Sequence, residues 1–538
     1  MAAFAFAACT EKEIDNDTPP AQTAEIEESY IAINLSASDI TRAQDGFDDG
    51  SEAERAVSHA DFFFFDEAGN PFNVTGNPAT TPGGGINHLR ATNVAFSADD
   101  NTGDDISDTS NPVLLLKTYK GQYPSQIVAV LNWSPADDKA YTLEELHDAV
   151  SIQGTFKNAQ NEDTKYFVMS NAVYAQGTTE VCATPLTMEN IKTTESDAIA
   201  SPVDIYVERV AAKVSVITNN ADGKYLLTGE DETAVYAKID SWDLYRDNPK
   251  STLLKDINPI DWTTDNLGFN WNDSPWYRSY WATSLDAVMG EIFDSTKALN
   301  AGAHTYIGEN TTGKDTCTKA VIKAQLVDAT GAALELAIWN NVEYVGNEAL
   351  RTAVANTLKN TYFAKTGEGN TAIYTGLTPE DLVCVAGGTT DAPQGVKANE
   401  VYFQLSITGT AKNWYKLVEG EYIPVATNIN DDANSTKATN EALKSVPAAV
   451  LYENGETFYY VDIKHLGASG KAAEYGIVRN HVYNVTINSI KGYGSPVYTG
   501  TEFIDYPEIS DQETYVSAKI NILSWKLVNQ QVNIQPNN

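Results

Sequence analysis

The chain has 538 residues, 42% of them hydrophobic, and a formal net charge of −37 at pH 7. This length is enough for two or three domains with ordinary cores. So acidic a surface would repel phosphate backbones, so nucleic acid is not an expected partner. After the first residues, no run of about 18 apolar residues occurs, so no membrane-spanning helix is predicted.

Strand-forming residues are common in the composition. The chain has 28 tyrosines and nine tryptophans, but only four methionines and 36 basic residues. Aromatic and β-branched residues favour strands, and few methionines argue against a helical bundle. We therefore expect an all-β fold.

The N-terminus, MAAFAFAACT, is a short apolar run that ends in small residues and Cys9. It is similar to a bacterial lipobox, in which the cysteine receives lipid after cleavage, but lacks the positive start of a full signal peptide. We predict that residues 1–9 are part of a lipoprotein signal and that lipid on Cys9 tethers the precursor to the outer membrane. The acidic segment that follows would be a flexible leash. The alternative is a frayed apolar end with an incidental cysteine.

The first predicted strand is YIAINLS, residues 30–36. Its apolar residues Ile31, Ile33 and Leu35 alternate onto one face, which indicates a half-buried strand. An acidic loop follows and contains Arg42, one of only three basic residues before position 89.

Further elements follow in the same style. ADFFFFDEAGN (60–70) predicts a buried strand closed by a turn. TLEELHDAVS (142–151) predicts a helix, with Thr142 and Glu145 forming a capping box. PVDIYVERVAAKVSVIT (202–218) is expected to be one long strand that closes the first domain.

The second half repeats short strands, with one predicted helix at 348–363. Many short strands with Gly, Asn and Asp turns indicate β-sandwiches. We divide the chain into a signal segment, a leash with a first strand, an N-terminal sandwich, a C-terminal sandwich and a final strand, at 1–9, 10–42, 43–222, 223–514 and 515–538.

Candidate chemistry is sparse, and we expect no catalytic residue, cofactor or metal. GENTTGKD (308–315) has phosphate-loop spacing, but Asp315 stands where Ser or Thr is needed, so we predict a turn. Acidic loops at 99–108 and 428–436 lack the ligand spacing of a calcium loop.

The aromatic stretch WNDSPWYRSYW (271–281) is interpreted as packing, although aromatics can also hold a sugar or a cation. Three dispersed cysteines are interpreted as small buried hydrophobes, namely Cys182, Cys317 and Cys384.

Six motifs in order resemble the fimbrillin family of Gram-negative anaerobes, the type V pilins. They are RVAAKVSV (209–216), WNDSPWYRSYWATS (271–284), YIGENTT (306–312), YYVDIKHLG (459–467), YGIVRNHVYNVTINSIKGYGSPV (475–497) and AKINILSWKLVNQQVNI (518–534). The resemblance implies two transthyretin-like β-sandwiches and export as a lipoprotein. It also implies that an arginine-specific or trypsin-like protease removes the first strand, and that the C-terminal strand of the next subunit replaces it.

Carried onto this sequence, the resemblance assigns Arg42-Ala43 as the cut site, with Arg55 as a rival. The removable strand contains Ile31, Ile33 and Leu35. Residues 515–525 are expected to pair within the subunit and 526–534 to reach outward, and the apolar donor side chains are Leu527, Val528, Val532 and Ile534. The alternative is that 515–534 is simply the last strand of the second domain.

The expected function is a structural subunit of a surface fimbria that supports adhesion or biofilm formation. Its expected partners are further copies of itself in a head-to-tail polymer, anchor and accessory fimbrial subunits, and the protease. One alternative is a tip adhesin, which accepts a strand but need not donate one. A second is a surface glycan-binding lipoprotein or hydrolase, for which no catalytic pattern is found.

Overall fold

The structure is a computed structural model. It describes residues 26–36, 54, 56–75, 86–92, 109–110, 112–136, 139–148, 150–151, 167–248, 250–258, 269–270, 276–279, 281–284, 299–300, 303–387, 390, 392–397, 400–405, 413–425, 443–465, 474–496, 515–521 and 530–531. Strands predominate in these ranges, and the all-β prediction is confirmed. Within them, no helix is long and apolar enough to cross a membrane.

The strands up to residue 245 are β1 (Ile26–Ser36), β2 (Ala60–Phe65), β3 (His88–Ala91), β4 (Thr109–Ser110), β5 (Val113–Tyr119), β6 (Gln126–Leu131), β7 (Val150–Ser151), β8 (Met169–Asn171), β9 (Tyr174–Gln176), β10 (Thr179–Val181), β11 (Thr184–Pro185), β12 (Val203–Arg209), β13 (Ala212–Thr218), β14 (Lys224–Thr228) and β15 (Val235–Tyr245). The helices are α1 (Leu143–Asp148), α2 (Glu195–Ile199) and α3 (Asn347–Leu358).

The later strands are β16 (Ser251–Thr252), β17 (Phe269–Asn270), β18 (Trp276–Arg278), β19 (Leu299–Asn300), β20 (His304–Ile307), β21 (Lys319–Val327), β22 (Leu336–Trp339), β23 (Val342–Val345), β24 (Tyr362–Thr366), β25 (Ile373–Gly376), β26 (Leu382–Ala386), β27 (Val401–Leu405), β28 (Asn413–Val418), β29 (Glu421–Pro424), β30 (Val450–Tyr452), β31 (Glu456–Asp462), β32 (Val482–Lys491), β33 (Ser495–Pro496), β34 (Tyr515–Asn521) and β35 (Gln530–Gln531).

The chain divides into two compact units. Unit 1 comprises Met1–Ala37, Ser58–Leu146 and Ala183–Tyr206, and unit 2 comprises Ser38–Val57, His147–Cys182 and Val207–Asn538. Strand β13, which the sequence analysis assigned to the first domain, lies in unit 2 and pairs in parallel with β32. Long-range strand pairing of this kind has no local sequence signal.

Unit 1 contains two runs of paired strands. One run is antiparallel, with β2 between β3 and β6, and β11 beyond β6. All six residues of β2 are buried, which confirms the strand predicted from its phenylalanine run. In the other run β1 lies between the edge formed by β4 and β5 and the parallel strand β12.

Unit 2 contains a β-sandwich. One sheet has the order β20-β13-β32-β34-β35 and the other has the order β14-β15-β21-β31-β33. Alternate residues of both sheets meet in one apolar core, which includes Val214, Trp242, Ile322 and Val485. This arrangement confirms the predicted sandwich architecture. A second core packs α3 against strands that include β22, β24 and β27.

Local predictions hold in part. Thr142 and Glu145 form the predicted capping box, since each side chain accepts a hydrogen bond from the other's backbone N–H at 3.0 and 2.8 Å. The prediction of a helix to residue 363 is wrong at its end, because α3 stops at Leu358 and Tyr362 enters β24.

The prediction of one strand over 202–218 is also wrong. Strands β12 and β13 are separated at Val210 and Ala211, whose backbone groups bond elsewhere. Val210 N–H donates to the Val168 carbonyl at 3.1 Å, and the Ala211 carbonyl accepts from Asn480 N–H at 2.8 Å. These two bonds bend the chain and direct the two strands into different pairings.

Cys182, Cys317 and Cys384 are thiols, as predicted. Cys317 is fully buried, and burial raises its pKa to about 11. Cys384 is half-buried, with its pKa raised to about 12 by burial. Cys182 differs from both, because its sulfur lies 3.3 Å from Nε2 of His147.

Candidate assembly site at the first and last strands

Strand β1 is held along both of its edges. Residues 26–32 pair antiparallel with β5, and residues 35–36 pair with β4. On the opposite edge, residues 33–36 pair in parallel with β12. Tyr30 exchanges two backbone hydrogen bonds with Lys192, at 2.7 and 3.0 Å, and Ile33 N–H donates to the Pro112 carbonyl at 2.9 Å. The first strand is therefore an interior strand of its sheet.

The predicted core-facing side chains of β1 are buried where the structure describes them. Ile31 and Ile33 are 0% exposed, opposite Leu114 and Val203. Two buried isoleucines contribute about 3–6 kcal/mol, at ~1.5–3 kcal/mol each. Leu35 pairs with Ile205 through its backbone, and its side chain lies outside the described set. Ala32, expected on the outer face, is also only 2% exposed.

Two hydroxyl groups on the buried side of β1 lack a hydrogen-bond partner within the described part of the chain. They belong to Ser29 in β1 and Thr118 in β5, which are 2% and 1% exposed. An unsatisfied buried hydroxyl costs about 1–3 kcal/mol. The surroundings of β1 therefore combine an apolar core with two unsatisfied polar groups, and these groups reduce the net stabilisation of the strand.

Only the rival of the predicted cut site has an immediate neighbour among the described residues. Arg42, Ala43 and Arg55 lie outside the described residues, but Glu54, immediately before Arg55, is 2% exposed. Its carboxylate accepts from Lys213 Nζ at 2.9 Å and from the Tyr306 hydroxyl at 2.6 Å. Residue 54 is thus fixed in unit 2 by several polar contacts.

The C-terminal strands pair within the chain. Residues 515–521, part of the segment 515–525 that was predicted to pair within the subunit, form β34 antiparallel to β32; residues 522–525 lie outside the described residues. Strand β35 pairs with β34 at two positions, Gln531 opposite Lys519 and Gln530 opposite Ile520. The predicted donor side chains lie outside the described residues, as does the predicted lipid-bearing Cys9; the donor set is Leu527, Val528, Val532 and Ile534.

Sequence reasoning missed a buried ionic cluster in unit 2. Arg479 and Glu309 form a two-pronged pair, with Nε to Oε1 and Nη2 to Oε2 both at 2.8 Å. The two side chains are 0% and 3% exposed. Arg479 also donates to the carbonyls of Leu253 and Thr252, at 3.1 and 3.0 Å. This bonding satisfies a charge that would be costly to bury alone.

A second buried pair lies in the same unit. Lys255 Nζ donates to Glu208 Oε2 at 3.0 Å and to the Ser279 carbonyl at 2.7 Å. Several of the residues in these buried contacts come from the motifs that carried the family resemblance: Lys213, Ser279, Tyr306, Glu309 and Arg479. The motifs therefore supply side chains to the buried ion pairs and hydrogen bonds of unit 2. GENTTGKD supplies Glu309 to one of them and continues into a 3₁₀ turn at Lys314–Thr316.

Residues 450–531, which include strands β30 to β35, match a family model described as "Major fimbrial subunit protein type IV, Fimbrillin, C-terminal". This part of the chain is therefore similar to the C-terminal part of fimbrillins. The match covers the segment that holds β32 and β34 and the buried Arg479. No curated protein sequence matches this chain.

Solved structures show only a distant likeness to this chain. A fimbrilin (fimA) from Porphyromonas gingivalis W83 is 12% identical, with 93% of this chain and 98% of that chain covered and a TM-score of 0.38. The tip fimbrial protein Mfa3 from Porphyromonas gingivalis is 10% identical, with 93% and 100% covered and a TM-score of 0.30. A fimbrial assembly protein from Parabacteroides distasonis is 11% identical, with 60% and 86% covered and a TM-score of 0.28. TM-scores this low add nothing to the family match of residues 450–531.

Proposed function

We propose that the chain is a fimbrillin and the structural shaft subunit of a surface fimbria, of the type found as the major subunit of short fimbriae. It is exported as a lipoprotein precursor with lipid on Cys9. Proteolysis after Arg42 releases β1, and the C-terminal strand of a neighbouring subunit takes its place. The role is mechanical, with no catalytic step.

The position of β1 carries this proposal. It is the first strand of the chain, yet it lies inside its sheet, with partners on both edges and two fully buried isoleucines. Its removal would expose the backbone groups of β12 on one side and of β4 and β5 on the other, together with a strip of core. Unpaired edges and bare apolar surface together favour capture of a replacement strand. This is the condition for donor-strand complementation.

The contacts that stabilise β1 in its sheet are weakened at two positions, which suits a strand that must be released during assembly. The unsatisfied hydroxyls of Ser29 and Thr118 offset part of the energy from Ile31 and Ile33. Ser29 leaves together with the strand. A donor strand with an apolar or hydrogen-bonding residue in that position would bind the groove more tightly than β1 does.

The fixed position of Glu54 supports Arg42 over Arg55 as the cut site. A protease binds an extended substrate over several residues on each side of the cut. Glu54 would have to leave Lys213 and Tyr306 to enter the protease. Cleavage at Arg42 leaves this joint intact, and the new N-terminus would remain attached to unit 2 through Glu54.

The C-terminal strands support the donor role. Within the described residues β35 pairs with β34 at two positions, and a strand-forming tail of this kind can pair instead with the open sheet edge of another subunit. Its four apolar donor side chains would contribute about 6–12 kcal/mol in a groove, at ~1.5–3 kcal/mol each, before ordering costs. The contact is head-to-tail and does not close, so it extends into a filament. A strand-forming tail also favours a shaft subunit over a tip subunit, which need only accept.

Trypsin treatment of the purified precursor tests the proposal. We expect N-terminal sequencing to show a chain that begins at Ala43, and electron microscopy to show fibres. The Arg42→Ala protein should keep β1 and stay monomeric, whereas the matched Arg55→Ala control should process and assemble normally. Normal shedding and assembly of Arg42→Ala would refute the assigned cut site.

A further inference from the structure

Three side chains of different chemistry meet beside strand β10 in unit 2. Glu180 lies in β10 and Cys182 follows two residues later, so alternation turns both side chains to the same side. His147 comes from the last turn of α1. Its Nε2 lies 3.3 Å from Cys182 Sγ and 3.8 Å from Glu180 Oε1, and the three atoms all lie within 4.8 Å of one another.

These separations fit one tetrahedral metal ion. Zinc bonds to nitrogen, oxygen and sulfur of about 2.0, 2.1 and 2.3 Å place the nitrogen and sulfur roughly 3.5 Å apart and the nitrogen and oxygen roughly 3.4 Å apart in a tetrahedral site. The observed nitrogen–sulfur and nitrogen–oxygen distances of 3.3 and 3.8 Å differ from these values by a few tenths of an ångström.

One oxygen of the carboxylate in this cluster lacks a hydrogen-bond partner among the described residues. Glu180 Oε1 is buried and has no hydrogen-bond partner within the described residues. A buried carboxylate oxygen without a partner is costly, and a cation is the strongest compensation for it. The ammonium of Lys255 acts on Glu180, but it also bonds to Glu208 and to the Ser279 carbonyl, and the carboxylate of Asp256 adds a second negative charge nearby. A bound cation at Oε1 would compensate this local excess of negative charge.

We propose that His147, Glu180 and Cys182 bind one Zn²⁺ ion, with a water molecule as the fourth ligand. A thiolate and an imidazole select zinc over calcium and magnesium, which prefer oxygen ligands alone. On binding, the Cys182 thiol loses its proton to solvent and its sulfur bonds to the metal. The ion joins His147 to the β9–β10 hairpin within unit 2. No metal was expected from the sequence, because the cysteines and histidines are dispersed and no C-x-x-C pair occurs.

The experiment uses the full chain, freed of metal with a chelator and kept reduced. Zinc sulfate is titrated in by calorimetry, and Co²⁺ is used as a spectroscopic probe, because a cobalt–thiolate bond gives a strong near-ultraviolet absorption. The wild type should bind one zinc ion per chain and show this absorption. Cys182→Ser should lose the absorption and bind zinc at least ~10-fold more weakly.

The matched control is Cys384→Ser, which removes a thiol elsewhere in unit 2 and should bind as the wild type does. Glu180→Gln keeps the side-chain shape and should also weaken zinc binding by at least ~10-fold. Circular dichroism and melting in chelator identify any variant that fails to fold. If Cys182→Ser fails to fold, the zinc affinities of Glu180→Gln and His147→Gln decide whether the proposed site exists. Equal binding by wild type and all three ligand variants would mean adventitious binding to the acidic surface and would overturn the proposal, as would the absence of stoichiometric binding. None of the three proposed ligands lies in β1 or the C-terminal strands, so fibre formation and zinc binding can be measured independently of each other.

Discussion

Truncation of one buried side chain in the first strand should loosen unit 1 and leave the unit 2 sandwich unchanged. Ile33 is 0% exposed, pairs with Val203 and belongs to the strand that joins β12 to β5. Ile33→Ala removes buried carbon and leaves a cavity, which costs about 2–5 kcal/mol. Since about 1.4 kcal/mol is a factor of ten, local opening should become roughly 30- to 5,000-fold more frequent.

Native-state hydrogen exchange measures this effect directly. In Ile33→Ala, amides of β5 and β12 should exchange faster by the factor given above, while those of β13 and β32 should keep the wild-type rate. Ile487→Ala, also at a 0% exposed position but in β32, should give the reverse pattern. A change of less than about 0.5 kcal/mol at β5 and β12 in Ile33→Ala would refute the claim that β1 is a packed interior strand.

Three further outcomes are expected. Glu309→Gln should lower the free energy of unfolding by about 3–5 kcal/mol, because it leaves Arg479 as an uncompensated buried charge; denaturant unfolding measures this, and Arg479→Lys should recover little of it. Iodoacetamide at pH 8 should label Cys317 only after unfolding, because burial raises its pKa to about 11 and excludes the reagent; mass spectrometry with and without denaturant checks this. Burial raises the pKa of Tyr459 and of Tyr483, so their contribution to stability is complete below pH ~10 and is lost as the pH rises through their folded-state values; melting temperatures should fall above pH ~10, and a flat profile would contradict this.

Local patterns in the sequence predict local structure well. The phenylalanine run of β2, the alternation that buries Ile31 and Ile33, and the capping box of Thr142 are each set by residues close along the chain. The break between β12 and β13 is different. The backbone of Val210 and Ala211 bonds to residues 168 and 480, and no local pattern reports such partners.

The polar joints of unit 2 show the same limit. Arg479 and Glu309 are 170 positions apart, and each read singly is an ordinary charged residue. Only the fold reveals that they are buried together. His147 lies more than 30 positions from Cys182, so the dispersed cysteines and histidines gave no signal of a shared site. The family motifs did contain one clue to the buried ion pairs. A charged residue within an otherwise apolar strand pattern often belongs to such a pair.

The occupant of the groove between β12 and β5 in an assembled fibre is the most direct test. Cryo-electron microscopy of fibres grown from trypsin-treated protein would identify the residues of the strand that occupies this groove. We predict residues 526–534 of the neighbouring subunit in this position, with the chain of each subunit beginning at Ala43. Density for residues 26–36 of the same subunit there, with β35 still paired to its own β34, would contradict the proposed assembly.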